Sequence, residues 1–507
     1  MNESSEARAM TAASECWLDR LRMTFTLSDA PVARLQVCLL VVGVFARNGL
    51  SNSAEAVDTA SRGRLAALLR RGDLENRIGA SVIFYDLPGV AARRVLVVCL
   101  GDRKSFDESA FFKALIGAGQ ALNALNVRDV AFTLAELQVC DHPLEWRIMH
   151  SVRILADSAY RFNAAGNHRE CEDRGVRNIA LLPSSCPTLQ MELAVRGGAA
   201  TAAGMALARD LGNLPGNIRT PACLAETARV LAEEHGFELE IVEREAMAKL
   251  TMLPGFSPAR ARDDPCRFVV LRCRRGGDRR PIVLVGNGLT FDTDGKQRIC
   301  GAATVLATME VVGLLRLPLN VVGIVSAATT ARAASTTRPG DVVVSMSGHT
   351  VEILEADTEG RLILGDALTL ADRYEPECII DIATMTDACV KALGTHTSGL
   401  FANDDALAEE LFECGLRTGD RAWRLPLWPE YQELLNSTVA DLRNINGGNA
   451  AAITAACFLS RFAGRHRWAH LDISGTANGG EGAGGCTGRP VPLLSEFLLQ
   501  RAAARRT

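Results

Sequence analysis

Residues 281–290 read PIVLVGNGLT, residues 301–315 read GAATVLATMEVVGLL and residues 319–327 read LNVVGIVSA. The first and last are short apolar runs rich in Val and Ile, as expected of buried strands. The middle one is long enough, and rich enough in Ala and Leu, to be a helix. A strand, a helix and a strand in that order form the unit from which parallel sheets are built. The pattern extends in both directions, with strand-like runs at 267–273, 377–384 and 467–473 and helical ones at 224–235 and 362–374. This predicts an α/β domain on a mostly parallel sheet flanked by helices. In such sheets ligands sit beyond the carboxyl ends of the strands, which singles out the loops after Leu284, Leu354 and Thr384.

Upstream, runs at 36–45, 80–85 and 94–100 read as strands and 107–125 as an amphipathic helix, which makes a smaller α/β domain over 25–165. Residues 1–24 read as an extension. A polar stretch at 163–177 reads as a linker, and the Ala-rich run 189–211, closed by Gly212 and Pro215, reads as a long linking helix. The organisation expected is therefore extension (1–24), first domain (25–165), linker and linking helix (166–211) and larger second domain (212–507).

A chain of 507 residues, 48% hydrophobic and 22% charged, has ample core for two or three domains and is not a disordered or collagen-like polymer. A net charge of -4 speaks against nonspecific nucleic-acid binding as its main work. The fifteen cysteines show no Cys-x-x-Cys pair or zinc-finger spacing, so they read as thiols of a reducing compartment. The acidic, polar start is neither a secretory signal nor a transit peptide, and no apolar run is long enough to span a bilayer. The cytoplasm, with no membrane partner, is the expected location. Of 55 basic residues only five are lysines: Lys104, Lys113, Lys249, Lys296 and Lys391. Chemistry that needs a deprotonated or ligating amine therefore has few candidates.

Two polar clusters in the second domain follow apolar strands. Glu355-Ala-Asp357-Thr-Glu359-Gly-Arg361 places three carboxylates and a guanidinium at a strand-to-helix turn. That composition suits a hard cation beside an anion clamp, and it equally suits acidic capping of a helix. Gly286-Asn-Gly288-Leu-Thr-Phe-Asp292-Thr-Asp294-Gly-Lys296-Gln-Arg298 suits a metal or phosphate loop, or a solvated turn. Gly480-Glu-Gly482-Ala-Gly-Gly485 matches a dinucleotide-binding glycine pattern, but Thr487-Gly-Arg-Pro490 follows it rather than a helix. His470, Asp472 and Ser474 alternate along one strand face, a spacing that speaks against a catalytic triad.

Taken together, these segments resemble the leucyl (cytosol) aminopeptidase family of metallopeptidases. The resemblance is carried, in order, by Asp210-Leu-Gly-Asn-Leu-Pro-Gly-Asn217 with Thr220-Pro221, Val285-Gly-Asn-Gly-Leu-Thr-Phe-Asp292, Arg338-Pro-Gly-Asp341 and Met346-Ser-Gly-His-Thr-Val-Glu352. Further along it is carried by Asp357-Thr-Glu-Gly-Arg361, Asp381-Ile-Ala-Thr384, Gly419-Asp-Arg-Ala-Trp-Arg-Leu-Pro426, Trp468-Ala-His-Leu-Asp472 and Thr487-Gly-Arg-Pro490. It implies a small α/β domain joined by a linking helix to a mixed-sheet catalytic domain, and a homo-hexamer with interior active sites. It also implies a reaction in which two divalent ions (zinc, manganese or magnesium) activate water to release the N-terminal residue of a peptide. Some bacterial members that resemble this chain also act as DNA-binding accessory or regulatory proteins, so nucleic acid is a further partner to consider.

Carried over residue by residue, the resemblance makes Asp292, Asp357 and Glu359 metal ligands and Arg361 the residue that positions a bicarbonate. Thr384, Thr386 and Asp387 fall at the substrate pocket, where Asp387 replaces a glycine. Two metal positions are degenerate: Asn287 stands for a ligating lysine and Arg298 for a ligating aspartate. The segment that holds the catalytic lysine is absent, because Asp292-Thr-Asp-Gly295 runs almost directly into Cys300-Gly-Ala-Ala303. Lys296 falls on a lysine with no known catalytic role, and Thr329-Thr-Ala-Arg-Ala-Ala-Ser335 replaces an Glu-Asn-Met-Pro stretch near the substrate. The expectation is a homologue that keeps fold and assembly, holds at most one divalent ion and has lost most or all peptidase activity. A weak one-metal aminopeptidase and a noncatalytic binding or regulatory hexamer are the alternatives. Arg298 is a candidate surrogate cation among the remaining carboxylates.

Overall fold

The computed structural model describes residues 23–46, 49–162, 175–183, 185–250, 252, 266–289, 298–328, 338–355, 359–446, 448–479 and 485–505. The described residues divide into two compact units, one ending at Ala203 and the other beginning at Gly204. The boundary falls inside the long helix Leu189–Asn213.

In the first unit a sheet runs in the order Thr24–Leu27, Asn178–Leu181, Asp129–Phe132, Leu39–Phe45, Arg94–Gly101 and Ser81–Tyr85, with the short Gly49–Leu50 pairing back onto Leu39–Phe45. All neighbours along that order are parallel except the last pair. Every residue of Leu39–Phe45 is buried, because helices cover both faces of the sheet. The stretch expected as a connector is not all connector. Asn178–Leu181 is a strand lying between Thr24–Leu27 and Asp129–Phe132, so residues beyond 165 complete this sheet. Four residues made too weak an apolar run to be read as a strand without their partners.

The second unit is built on an eight-stranded mixed sheet in the order Ala422–Arg424, Ser398–Ala402, Trp468–Asp472, Cys378–Ala383, Ile282–Leu289, Asn320–Ala328, Arg267–Arg274 and Glu238–Val242. The central four, from Trp468–Asp472 to Asn320–Ala328, are mutually parallel, and antiparallel pairs begin on either side of them. The strand, helix and strand predicted at 281–327 are Ile282–Leu289, Cys300–Leu314 and Asn320–Ala328. Cys300–Leu314 is buried on every side from Cys300 to Gly313, which is why its sequence shows no polar stripe. The opposite face carries a core of Phe268, Val285, Ile324, Leu364, Leu368 and Phe458, to which helix Glu359–Ala371 contributes. A small sheet of Val342–Val344, Thr350–Glu352 and Leu442–Arg443 stands beside it. No helix among the described residues is long and apolar enough to cross a membrane.

Candidate functional site

The site forms where the carboxyl ends of the central strands meet the starts of three helices. Close backbone approach makes this possible. A Cβ on Gly301 would lie 2.2 Å from the Ile382 carbonyl oxygen, so only glycine lets helix Cys300–Leu314 start directly against the neighbouring strand. A Cβ on Gly360 would meet Leu289 at 2.9 Å and the Asn287 amide at 3.1 Å, which brings the first turn of Glu359–Ala371 onto the end of Ile282–Leu289.

Asn287 is buried, 3% exposed, and pairs in register with Ser326 on the adjacent parallel strand. Its Nδ2 donates to the Gly360 carbonyl at 3.4 Å, and its Oδ1 accepts from Ser326 Oγ at 3.4 Å. The amide thus joins two strands to the helix that carries Glu359 and Arg361. It is neutral and already engaged at both ends, unlike a deprotonated amine, whose lone pair is free for a metal. Arg298 is half-buried and immediately precedes Ile299, which leads into helix Cys300–Leu314. A guanidinium has five donors and no acceptor, so it cannot ligate a cation.

The acidic turn departs from the expectation in one respect. The helix begins at Glu359 rather than at 362, so Glu359 and Arg361 lie in its first turn, not ahead of it. Gly360 interrupts the apolar periodicity there, and its place in the helix follows from the close packing just described. Arg361 is 6% exposed and donates from Nη1 to the backbone carbonyl of Asn444, while its Nε has no hydrogen-bond partner among the described residues. Burial pulls its pKa down from 12.5 to about 10, against the charges of Asp472 and Glu355, which favour the cation.

Asn444 is a residue that the sequence reading missed. It is fully buried; its Oδ1 accepts from Leu354 N at 2.8 Å and its Nδ2 donates to the Glu355 carbonyl at 2.8 Å, pinning the turn that leads to the carboxylates. No local signal marks it, because its partners lie about ninety residues away in sequence.

Asp472 organises the other side. It ends strand Trp468–Asp472 and accepts from Met385 N (3.2 Å), Thr386 N (3.2 Å), Thr386 Oγ1 (2.9 Å), Ser474 N (3.0 Å) and Ser474 Oγ (2.6 Å). Ser474 lies past the strand end, where the chain turns, so it reaches Asp472 despite the alternation expected of them. Thr386 caps helix Asp387–Leu393 through Oγ1, which leaves Asp387 exposed at the first helical position. Thr384 Oγ1 is buried without a hydrogen-bond partner among the described residues. His470 takes no part in a triad with Asp472: its Nδ1 lies 2.5 Å from Asp381 Oδ1, and Asp381 Oδ2 accepts from Trp468 Nε1 at 2.6 Å.

The expected site residues Asn287, Arg298, Arg361, Thr384, Thr386 and Asp387 are all within the described residues, and the structure ties Asn287 to the helix of Arg361. Asp292, Lys296 and Asp357 lie outside the described residues, as does the side chain of Glu359, whose backbone opens its helix.

The catalytic-domain model of the cytosol aminopeptidase family matches residues 206–495, and its N-terminal-domain model matches 41–165. A probable cytosol aminopeptidase of an Azoarcus species is 50% identical over 498 residues, covering 95% of this chain and 100% of the relative. Another, from Aromatoleum aromaticum, is 48% identical over 496 residues, covering 95% and 99%. Among solved structures, a tomato leucine aminopeptidase mutant superposes with a TM-score of 0.83 at 30% identity, covering 94% of this chain and 96% of that one. The bottromycin maturation enzyme BotP in complex with Mn gives 0.77 at 29% identity, covering 92% and 100%.

Proposed function

The chain belongs to the cytosol aminopeptidase family, and we propose that it keeps that family's frame for metal and peptide while having lost most or all of its turnover. The observation that carries this is the state of Asn287: a buried neutral amide engaged with Ser326 and Gly360 where the family resemblance calls for a ligating amine. With Arg298 in place of an anionic ligand, the second ion position offers one occupied amide and one cation, which does not fit a divalent metal.

The other position keeps Asp292, Asp357 and Glu359, a hard-oxygen set that would hold one manganese, zinc or magnesium ion. Such an ion, when bound, supplies Lewis acidity toward a peptide carbonyl or a water. Around it, Asn444 holds Arg361 in place, and Asp472 orders the 384–386 turn that ends in Thr386. Arg361 Nε and Thr384 Oγ1, which have no hydrogen-bond partner among the described residues, suit a small anion, in keeping with a bicarbonate at Arg361. Asp387, exposed beside them, would favour a cationic peptide N-terminus or side chain. What is missing is the lysine that would stabilise the developing oxyanion. Loss of one such donor costs about 10²–10³ in kcat.

Free thiols at every described cysteine suit work in a reducing cytoplasm. The test is turnover of a leucine chromogenic substrate by purified protein with added manganese, read together with elemental analysis after dialysis. We expect kcat at least about 10²-fold below that of an active relative assayed in parallel, and at most one ion per chain. Two tight ions with comparable turnover would overturn the reading.

A further inference from the structure

Cys300 opens helix Cys300–Leu314, and Cys486 lies in a bridge to Asn478, 186 residues along the chain. Their Sγ atoms are 3.5 Å apart, and the residues are 1% and 4% exposed. Two sulfurs at that distance need to close by only about 1.5 Å to reach disulfide length.

The surroundings hold the pair together. Asn213, at the end of helix Leu189–Asn213, accepts from Cys486 N through Oδ1 at 2.7 Å. A Cβ on the neighbouring Gly212 would come within 2.4 Å of Cys486 Cβ and 2.7 Å of its Sγ, so the backbone of this helix backs directly onto the thiol. Thr487 N bonds to Ala477 O at 2.9 Å and Gly479 N to Gly485 O at 2.9 Å, fixing the backbone around the Asn478–Cys486 bridge. The two thiols are also unequal. The hydrogen bond from Cys300 lowers the pKa of Cys486 against the effect of burial, with help from the Gly488 and Thr487 amides and the charge of Arg209. That same bond and burial raise Cys300.

We propose that Cys300 and Cys486 form a reversible oxidation site for hydrogen peroxide, closing to a disulfide. The Cys486 thiolate attacks the peroxide, an S–O bond forms, the O–O bond breaks, and the departing hydroxide takes up a proton as water. Cys300 then gives up its proton and attacks the Cys486 sulfenic acid; the S–S bond forms, the S–O bond breaks and a second water leaves. Two thiols and one peroxide thus yield one disulfide and two waters, with the sulfur pair oxidised by two electrons and the peroxide reduced by two. The mutual contact of the two sulfurs makes the second step intramolecular.

The proposal is tested on the full chain in its native state. Reduced protein is treated with a small molar excess of hydrogen peroxide, alkylated, digested without reductant and mapped by mass spectrometry. The expected product is a peptide pair joining Cys300 to Cys486, two hydrogens lighter than the sum of its parts and lost on treatment with dithiothreitol. The exposed Cys140 and Cys186 serve as internal references for unassisted oxidation. In Cys300→Ser the second step is blocked, so unfolding the peroxide-treated variant in the presence of dimedone should give an adduct at Cys486. The proposal fails if wild-type Cys300 and Cys486 are both recovered alkylated while Cys140 and Cys186 are oxidised. It fails equally if Cys486 is carried on to sulfinic acid without the cross-link.

Discussion

On the family resemblance Arg298 and Asn287 stand where two metal-binding side chains are expected, and the two differ in chemistry. Asn287 is neutral and fastens strand to helix, so its contribution is structural. Arg298 carries a permanent positive charge, and if the acids that the resemblance assigns as ligands, Asp292, Asp357 and Glu359, converge beside it, they would repel one another without a cation. We propose that it serves as that cation, consistent with its half-buried position at the entry to helix Cys300–Leu314. Arg298→Ala should then lower Tm near neutral pH by about 2–4 °C, for a loss of about 1 kcal/mol. It should also tighten divalent binding roughly tenfold, about 1.4 kcal/mol. Calorimetry and a metal titration check both, and unchanged melting and affinity would end the idea. At this scale the sequence was informative wherever a residue acts through its own chemistry, as with Arg361 or the charge reversal at Arg298. It did not mark Asn444, and it gave Asp472 and Asp381 no role of their own, because these roles arise only when distant segments meet.

Parallel strands Cys378–Ala383 and Trp468–Asp472 place Asp381 opposite His470 in register, fully buried, with Trp468 donating to the same carboxylate. Burial works against charge on His470, but the adjacent Asp381 carboxylate outweighs it, and the histidine pKa is raised above 6.5. A raised folded-state pKa gives stability that is fully present below the unfolded value and is lost as pH rises through the folded one. Asp381→Ala removes the partner and leaves two buried donors unpaired, a loss expected at about 3–5 kcal/mol. The deficit relative to wild type, measured by urea denaturation, should be largest below pH 6.5 and shrink as pH rises through the shifted pKa. A deficit independent of pH would mean that the pair does not ionise together. The strands themselves were legible because they are buried on both faces and therefore read as unbroken apolar runs. Two elements were not. Asn178–Leu181 is too short to stand out, and the first turn of Glu359–Ala371 is polar and carries Gly360, so its helical state depends on packing against Ile282–Leu289.

For the whole molecule, the departures expected from the family resemblance fall in ligand positions and in one segment, whereas the described strands and helices hold the buried cores that stabilise the fold. The proposed loss of catalysis need not entail loss of assembly. In the second unit, strand Val342–Val344 is an outer strand of its small sheet, paired among the described residues only with Thr350–Glu352. Val342 and Val344 on it are 43% and 55% exposed, and Trp428 and Val439 are more exposed still, at 63% and 64%. An apolar outer strand with an unpaired backbone edge, left in water, invites association, and soluble chains usually cover it. We therefore propose that the hexamer implied by the family resemblance persists here and buries part of this apolar surface. Size-exclusion chromatography with light scattering should report a species of about six chains. Replacing Val342 and Val344 together by lysine should shift it to smaller species, because each lysine would place a desolvated charge in the contact. The same variant should keep its far-ultraviolet circular dichroism, since both side chains are at least two-fifths exposed within the chain. A wild-type chain that runs as a well-behaved monomer at micromolar concentration would refute persistence of the assembly. A hexamer indifferent to both lysines would place its interfaces elsewhere.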